Sequence, residues 1–547
     1  MRIHPVLAVA AVLVLLRLPA ALMANQGLII DFDEMTMTLN TADRFLGVPH
    51  VTTGWPGGTV QLITMPLMAL AYLIQSHLDL SASSFIDYLA NLYRYPWHAI
   101  ALTRAPVVVV SSLGIAMLWY PLAAITSKTW IRILAIILTA TLPFVWTYSQ
   151  MATTDGMALG MVCASLGILG RKGTPHRPMI AGALFGLGIA SKVTYLLSAP
   201  FIIAILILNS EKLKKELLSF ASFATLGFIF ACPYVWTDPI RYAKGVLGMS
   251  AKQGVRPTFG QLFELFTRVS TIPFLGLYGL GLARFAKRRQ TTLLLGAIAT
   301  WLLSMAVFSR SDGYVYDRYF LPNWVAFMFC VTAGLDLISN KLTIFLSESP
   351  NSRWPALALT TVIGLPLLIS NASTYADLFT VLTPYRATPW PMVEDIKSTS
   401  CRRNIIIQQS VFPYFTQLAS NASLDQTRRN LEAVNQRSRE QVVTTIASRS
   451  IEPIWVRYIN SNFNAQEQSI AARLKVMQYK EPTQPLDIKI WGGDRESYRF
   501  GYLTDTDVKA MVAKGEVCAL IGEAQSLRRI GIKSVPYGFF SMAKFRT

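Results

Sequence analysis

Three carboxylates, Asp31, Asp33 and Glu34, follow the first apolar run of the chain with a single aromatic residue among them. A carboxylate within hydrogen-bond reach of a hydroxyl can take its proton as that hydroxyl attacks. These acids stand just past Pro5 to Ala24, a stretch nearly all apolar and long enough to cross a bilayer. Acidic groups at the mouth of an apolar bundle suit proton chemistry on a substrate delivered from the lipid. A further acid, Asp155, and three cations, Lys192, Arg256 and Arg318, also fall at span ends or in loops. Most charges in such places are merely solvated. Lys192 is harder to set aside, because it interrupts an apolar stretch directly after Gly186-Leu187-Gly188-Ile189-Ala190-Ser191. A lone lysine there must snorkel to the surface or pair with an anion. The small residues before it let neighbouring helices approach closely.

The elements that must hold these groups are apolar. The chain has 547 residues, 52% hydrophobic and 15% charged, where soluble proteins average about 25% charged. The fold class expected is a mainly α-helical polytopic membrane protein. About eleven transmembrane helices are expected, at 5–24, 101–122, 131–148, 156–170, 178–191, 194–209, 217–236, 271–283, 291–309, 319–337 and 355–371. The shorter stretch 59–75, with Gln61 and Pro66, reads as a re-entrant or juxtamembrane helix. The first span reads as retained rather than cleaved, since it is long for a signal peptide and lacks a small-x-small site.

The net charge of +19 sits largely in short clusters between spans. That distribution follows the positive-inside rule and argues against nucleic acid as a partner. Lys128 with Arg132, Arg171 with Lys172 and Arg177, Lys212 with Lys214 and Lys215, and Arg284 with Lys287 to Arg289 are all expected on the cytoplasmic side. If 59–75 does not cross, the first loop, 25–100, is then external, and so are the candidate site residues; if it crosses, every later basic cluster changes side, against the charge rule. Residues 1–375 form the transmembrane domain and 376–547 an external soluble domain of α/β or α+β type. Strands are expected at Arg403–Ile407 and Pro485–Trp491, and a helix at 389–400. Of the five cysteines, Cys163, Cys232 and Cys330 read as packing residues in spans. Cys401 and Cys518 are either a disulfide or two separate buried thiols.

Several short motifs stand in a telling order: Asp33-Glu34, Gly54-Trp55-Pro56-Gly57-Gly58, the stretch Tyr148 to Asp155, the glycine-rich Gly186 to Tyr195, and Asp317-Arg318-Tyr319-Phe320-Leu321-Pro322. In that order, over about residues 1–375, the chain resembles the GT-C membrane glycosyltransferases. Within them it is similar to the protein O-mannosyltransferases and lipid A aminoarabinose transferases, in their bacterial branch. The Glu-Lys-Pro that the aminoarabinose transferases carry in the first loop is replaced here by Gly54-Trp55-Pro56-Gly57, which argues against that sugar.

The resemblance implies a polyprenyl-phosphate donor carrying one sugar, and a glycan, lipid or protein acceptor. It implies a single attack that inverts the anomeric centre, moving a hexosyl or pentosyl unit. Asp33 is the expected base, with Glu34 and Asp155 as further catalytic acids. Lys192, Arg318 and Arg256 are expected on the donor phosphate, where negative charge builds as it leaves. No nucleotide cofactor is expected, because no Rossmann domain or glycine-rich phosphate loop is evident. A divalent metal stays open: Asp31-x-Asp33 spells a metal motif of nucleotide-sugar transferases, but hard cations need more oxygens than that string fixes. The expected location is a bacterial inner membrane, with active site and C-terminal domain on the periplasmic side. A transporter or flippase is the rival reading, but such proteins usually carry inverted repeats, and none is evident here. A non-catalytic envelope assembly protein is the other.

Overall fold

The computed structural model describes chiefly residues 4–23, 32–45, 57–78, 84–94, 96–232, 258–309, 317–346, 360–382, 404–408, 456–459, 498–503 and 505–545. The chain divides into two compact units. One gathers Met1–Ala21, Val51–Thr64 and Thr103–Leu378, the other Leu22–His50, Met65–Leu102 and Phe379–Thr547.

The first eleven helices are α1 (Pro5–Met23), α2 (Phe32–Phe45), α3 (Gly58–His77), α4 (Phe85–Arg94), α5 (Pro96–Met117), α6 (Thr129–Ala140), α7 (Pro143–Tyr148), α8 (Thr154–Gly170), α9 (Arg177–Ser191), α10 (Ala199–Asn209) and α11 (Leu213–Ala231). Helices at Phe259–Ser270, Ile272–Lys287, Thr291–Phe308, Leu321–Leu346 and Leu365–Leu382 follow. The chain is mostly helical, as expected. Among the described residues four helices are long and apolar enough to cross a membrane, or five if the bent pair at 259–287 is one span, with shorter apolar helices besides. Leu15, Leu70, Phe230 and Leu295 lie exposed on these helices, as lipid-facing residues must. One difference from the sequence reading concerns α3. It runs unbroken through Pro66 for 20 residues and is itself long enough to cross.

Apolar side chains gain little by leaving lipid for one another, so the bundle is held by close backbone contact and buried polar bonds. Gly182 and Gly186 face α11 so closely that a Cβ would stand 2.2 Å from the Phe220 carbonyl oxygen and 2.0 Å from that of Ala224. The small residues before Lys192 therefore do what their spacing suggested. Arg284 and Lys128 belong to one polar network in this unit. Arg284 pairs with Asp336 and donates to the carbonyls of Ile125 (3.0 Å) and Ala333 (3.1 Å). Thr126 donates to Asp336 at 2.6 Å, and Lys128 to Ser339 (2.8 Å) and Asn340 (2.9 Å). Three separated stretches are thereby tied. Cys163, Cys232 and Cys330 are buried, in keeping with packing roles.

The span expected at 131–148 is broken. Pro143 lacks an N–H for the Thr139 carbonyl, and Leu142 before it is extended, at φ −52° and ψ 132°. So α6 stops at Ala140 and α7 starts at Pro143. Carbonyls at the break accept locally from Thr141 Oγ1 and the Leu142 N–H, and also from side chains far away in sequence. Trp324 Nε1 donates to Thr139 at 3.1 Å, Arg17 to Ala140 at 3.2 Å, and Asn371 to Leu138 at 3.3 Å.

In the other unit, Phe45, Tyr72 and Tyr88 pack around Phe85, with ring centroids 5.2, 5.0 and 6.1 Å away. Its strands are β1 (Asn404–Gln408), β2 (Val456–Ile459), β3 (Tyr498–Leu503), β4 (Val517–Glu523), β5 (Val535–Tyr537) and β6 (Phe540–Lys544). They form one sheet in the order β3-β2-β1-β4-β6-β5. The first four run parallel, while β6 pairs antiparallel with β4 and β5. Val508, Met511, Leu520 and Leu527 form a core between this sheet and its flanking helices. β1 falls within one residue of the strand expected at Arg403–Ile407. The strand expected at 485–491, the helix at 389–400 and the Cys401–Cys518 pairing lie outside the described residues.

Candidate functional site at the Asp155–Lys192 pair

Asp155 sits in the first turn of α8, and Lys192 is the residue that ends α9. Lys192 leaves the helix because its backbone turns extended, at φ −152° and ψ 115°. The β-branched Val193 and Thr194 come next, and the chain continues as a 3₁₀ turn over Val193–Ser198 before α10. This kink turns the lysine across to α8. Its Nζ lies 2.6 Å from Asp155 Oδ1, with 6% and 1% of the two side chains exposed. Of the two choices open to Lys192, it takes the anion, supplied by the protein itself 37 residues earlier.

Two further groups complete the surroundings. Tyr195 donates its hydroxyl to the Asp155 backbone carbonyl at 3.0 Å, which ties the 3₁₀ turn to the start of α8. The Lys192 ammonium lies 5.6 Å from the centroid of the Tyr319 ring, within cation–π range. Tyr319 belongs to a 3₁₀ turn, Asp317–Phe320, that leads into the Leu321–Leu346 helix. Pro322 in the first turn of that helix has no N–H to lose there. Arg318, next to Tyr319, is buried at 5% exposure. Asp155, Lys192 and the Arg318 turn thus come together from three elements that lie far apart in sequence.

Asp155 has one more property of interest. Its Oδ2 is buried and accepts no hydrogen bond among the described residues. A buried carboxylate oxygen without a donor is costly, and a ligand hydroxyl or cation would relieve that cost. Among the described residues no group of three or more His, Cys, Asp or Glu side chains gathers to hold a metal.

The remaining expected site residues are less fully described. Asp33 and Glu34 lie in the first turn of α2, and Glu34 is fully buried. The side chain of Asp33 lies outside the described residues, as do all of Asp31 and Arg256. Sequence reasoning gave no role to Tyr195, Tyr319 or Arg17, the last a fully buried arginine inside an apolar span. The signal for Arg17 was present, as the one charge between Pro5 and Ala24.

Residues 99–236 match the model of a family described as dolichyl-phosphate-mannose-protein mannosyltransferase. Both Asp155 and Lys192 fall inside that stretch. Among curated proteins no sequence matches. Of solved structures, ArnT from Cupriavidus metallidurans in the apo state aligns at 11% identity and a TM-score of 0.48, over 97% of each chain. The same protein bound to undecaprenyl phosphate aligns at 9% identity and 0.39, again over 97% of each. The archaeal oligosaccharyltransferase AglB from Archaeoglobus fulgidus, in complex with an inhibitory peptide and a dolichol-phosphate, aligns at 14% identity and 0.37, over 80% of this chain and 68% of the other. These structural likenesses are distant. The family match bears out, in its own stretch, the resemblance to GT-C membrane glycosyltransferases. The apolar helices make this an integral membrane protein, and over residues 99–236 it is similar to that mannosyltransferase family.

Proposed function

We propose that this protein is a membrane glycosyltransferase that moves a single sugar from a polyprenyl-phosphate donor to an acceptor hydroxyl at the external membrane face. The observation that carries the reading is the buried Lys192–Asp155 pair, inside the stretch matched by the mannosyltransferase family model. A transporter would also tolerate such a pair, but the match is to transferases.

The reaction balances without an enzyme nucleophile. The acceptor oxygen bonds to the anomeric carbon as the bond from that carbon to the phosphate oxygen breaks. The acceptor proton passes to a carboxylate, for which Asp33 is the assigned base. The departing polyprenyl phosphate gains negative charge, and cations aimed at it lower the barrier. Lys192 and Arg318 are assigned that task, with Arg256 as a third cation. An ammonium carries three N–H donors, so one carboxylate oxygen and one phosphate oxygen can share it. Asp155 has two tasks in this reading: Oδ1 fixes the lysine, and Oδ2 accepts from the acceptor or a cation. One displacement inverts the centre. The active face and residues 376–547 are assigned to the periplasmic side of a bacterial inner membrane.

The test is to delete the gene and analyse lipid-linked sugars and envelope glycans by mass spectrometry. Accumulation of one polyprenyl-phosphate sugar, with loss of one glycan modification, is expected and names the donor. Unchanged lipid-linked sugars and glycans would overturn the reading.

A further inference from the structure

A charge in the middle of an apolar span is expensive, and it persists where it does work that an apolar residue cannot. Arg17 is fully buried in α1. It donates to Ser112 Oγ on α5 at 3.1 Å and to the Ala140 carbonyl at the end of α6 at 3.2 Å. Its guanidinium also lies 5.3 Å from the centroid of the Trp146 ring on α7. One side chain thus grips both sides of the break in the α6–α7 span.

That break leads directly to Asp155. The end of α7 is held a second time by α5, where Ser111 Oγ donates to the Ser149 carbonyl at 2.7 Å. Tyr148 and Ser149 in turn press on Gly156, the residue after Asp155. A Cβ there would stand 2.4 Å from the Tyr148 carbonyl oxygen and 3.1 Å from Ser149 Cα. Gly156 thus brings the start of α8 nearly onto the backbone at the end of α7, with Val107 Cγ1 of α5 packed beside it, so a shift in one is passed to the other.

We infer that Arg17 is a positioning residue: by clamping the α6–α7 break it fixes the 149–154 turn and, through it, the carboxylate of Asp155. The inference about the turn stands on geometry alone. Its consequence for turnover rests on the transferase reading. Leucine or methionine at position 17 would fill space but could not satisfy the Ala140 carbonyl.

The experiment uses the full-length protein with Thr153→Cys as a reporter in the turn. Thr153 is buried at 2% exposure, so the cysteine reacts slowly with a maleimide while the turn is held. Modification is followed by mass spectrometry of the peptide carrying it, apart from the native thiols. Arg17→Met in this background is expected to raise the modification rate about 10–100-fold, as for opening a site held by charge-assisted hydrogen bonds. Arg17→Lys, which keeps the charge but not the fork, is expected to fall between. In a transfer assay with the donor identified from the deletion strain, Arg17→Met should lower kcat and leave the donor KM within about twofold. An unchanged modification rate in folded Arg17→Met overturns the inference. If Arg17→Met is not recovered, Arg17→Lys decides alone, and a rate equal to that of the parent overturns it. A raised rate in a protein that transfers no sugar under any condition leaves the clamp standing and removes the transferase reading instead.

Discussion

The Lys192 ammonium stands 2.6 Å from a carboxylate oxygen of Asp155, with both side chains closed off from solvent. Removing one partner of a buried pair strands the other charge, which typically costs about 3–5 kcal/mol. Lys192→Met and Asp155→Leu are each expected to lower the detergent melting temperature sharply. The double variant should recover much of that stability and none of the transfer activity. Thermal unfolding and turnover of the three proteins, measured side by side, separate the pair's structural part from its chemical part. An active double variant would remove both residues from the mechanism.

Asp33→Asn keeps the size of the side chain and removes the proposed base. Turnover is expected to fall by about 10²–10⁴-fold, the usual contribution of general base catalysis, with insertion and melting unchanged. Glu34 is fully buried, so Glu34→Gln is expected to act on stability more than on rate. Normal transfer by purified Asp33→Asn protein would place the base elsewhere.

Arg318 lies beside the ring that covers Lys192. Arg318→Ala is expected to weaken donor binding or slow turnover by about tenfold or more, the scale of one lost charge-assisted contact. Titration with the lipid donor, alongside the rate, distinguishes the two. Donor affinity and rate both unchanged in Arg318→Ala would move the phosphate away from this turn.

The Arg284–Asp336 pair supplies a contrast. It belongs to the network around Thr126 and Lys128 and has no part in the proposed chemistry. Asp336→Asn is expected to destabilise the protein while the rate per folded molecule stays within about twofold, as for a change outside the machinery. A selective loss of rate would show this network to be coupled to the site.

Gly186 lies where α9 and α11 touch through their backbones. Gly186→Leu is expected to abolish stable expression or to cost about 3 kcal/mol or more, since the neighbouring atom is a backbone carbonyl and not a yielding side chain. Size-exclusion profiles of the fluorescently tagged protein measure this directly.

Much of this arrangement was legible in the sequence, and the rest was hidden for physical reasons. Apolar length marked where the helices run, and the position of Lys192 left it two choices, to snorkel or to pair with an anion. Which anion could not be read, because Asp155 reaches it only through a fold that brings α8 against α9. The break at Pro143 was readable in principle, since a proline forfeits one helical bond. Its capping by Trp324, Arg17 and Asn371 was not, because nothing local marks an indole or an amide as the partner of a carbonyl some 185 or 233 residues away. Arg17 was overlooked because a run that is nearly all apolar invites reading by its average. The helix over 32–45 was missed for the opposite reason, as a polar stretch in a loop offers no apolar length to notice.

The capping of the broken span also bears on how the protein is made. Residues 129–148 leave the ribosome long before Trp324 and Asn371 exist. Until those residues arrive, the Leu138 carbonyl has only Thr141 Oγ1, at 3.0 Å, and the Thr139 carbonyl only the long bond from the Leu142 N–H, at 3.4 Å, and polar backbone left short of donors is costly in lipid. The early half of the bundle therefore reaches its final form only when the last helices are threaded in beside it. A chain cut short after the Thr291–Phe308 helix would hold every residue of the Asp155–Lys192 pair and still present an unfinished break to the membrane's quality-control proteases.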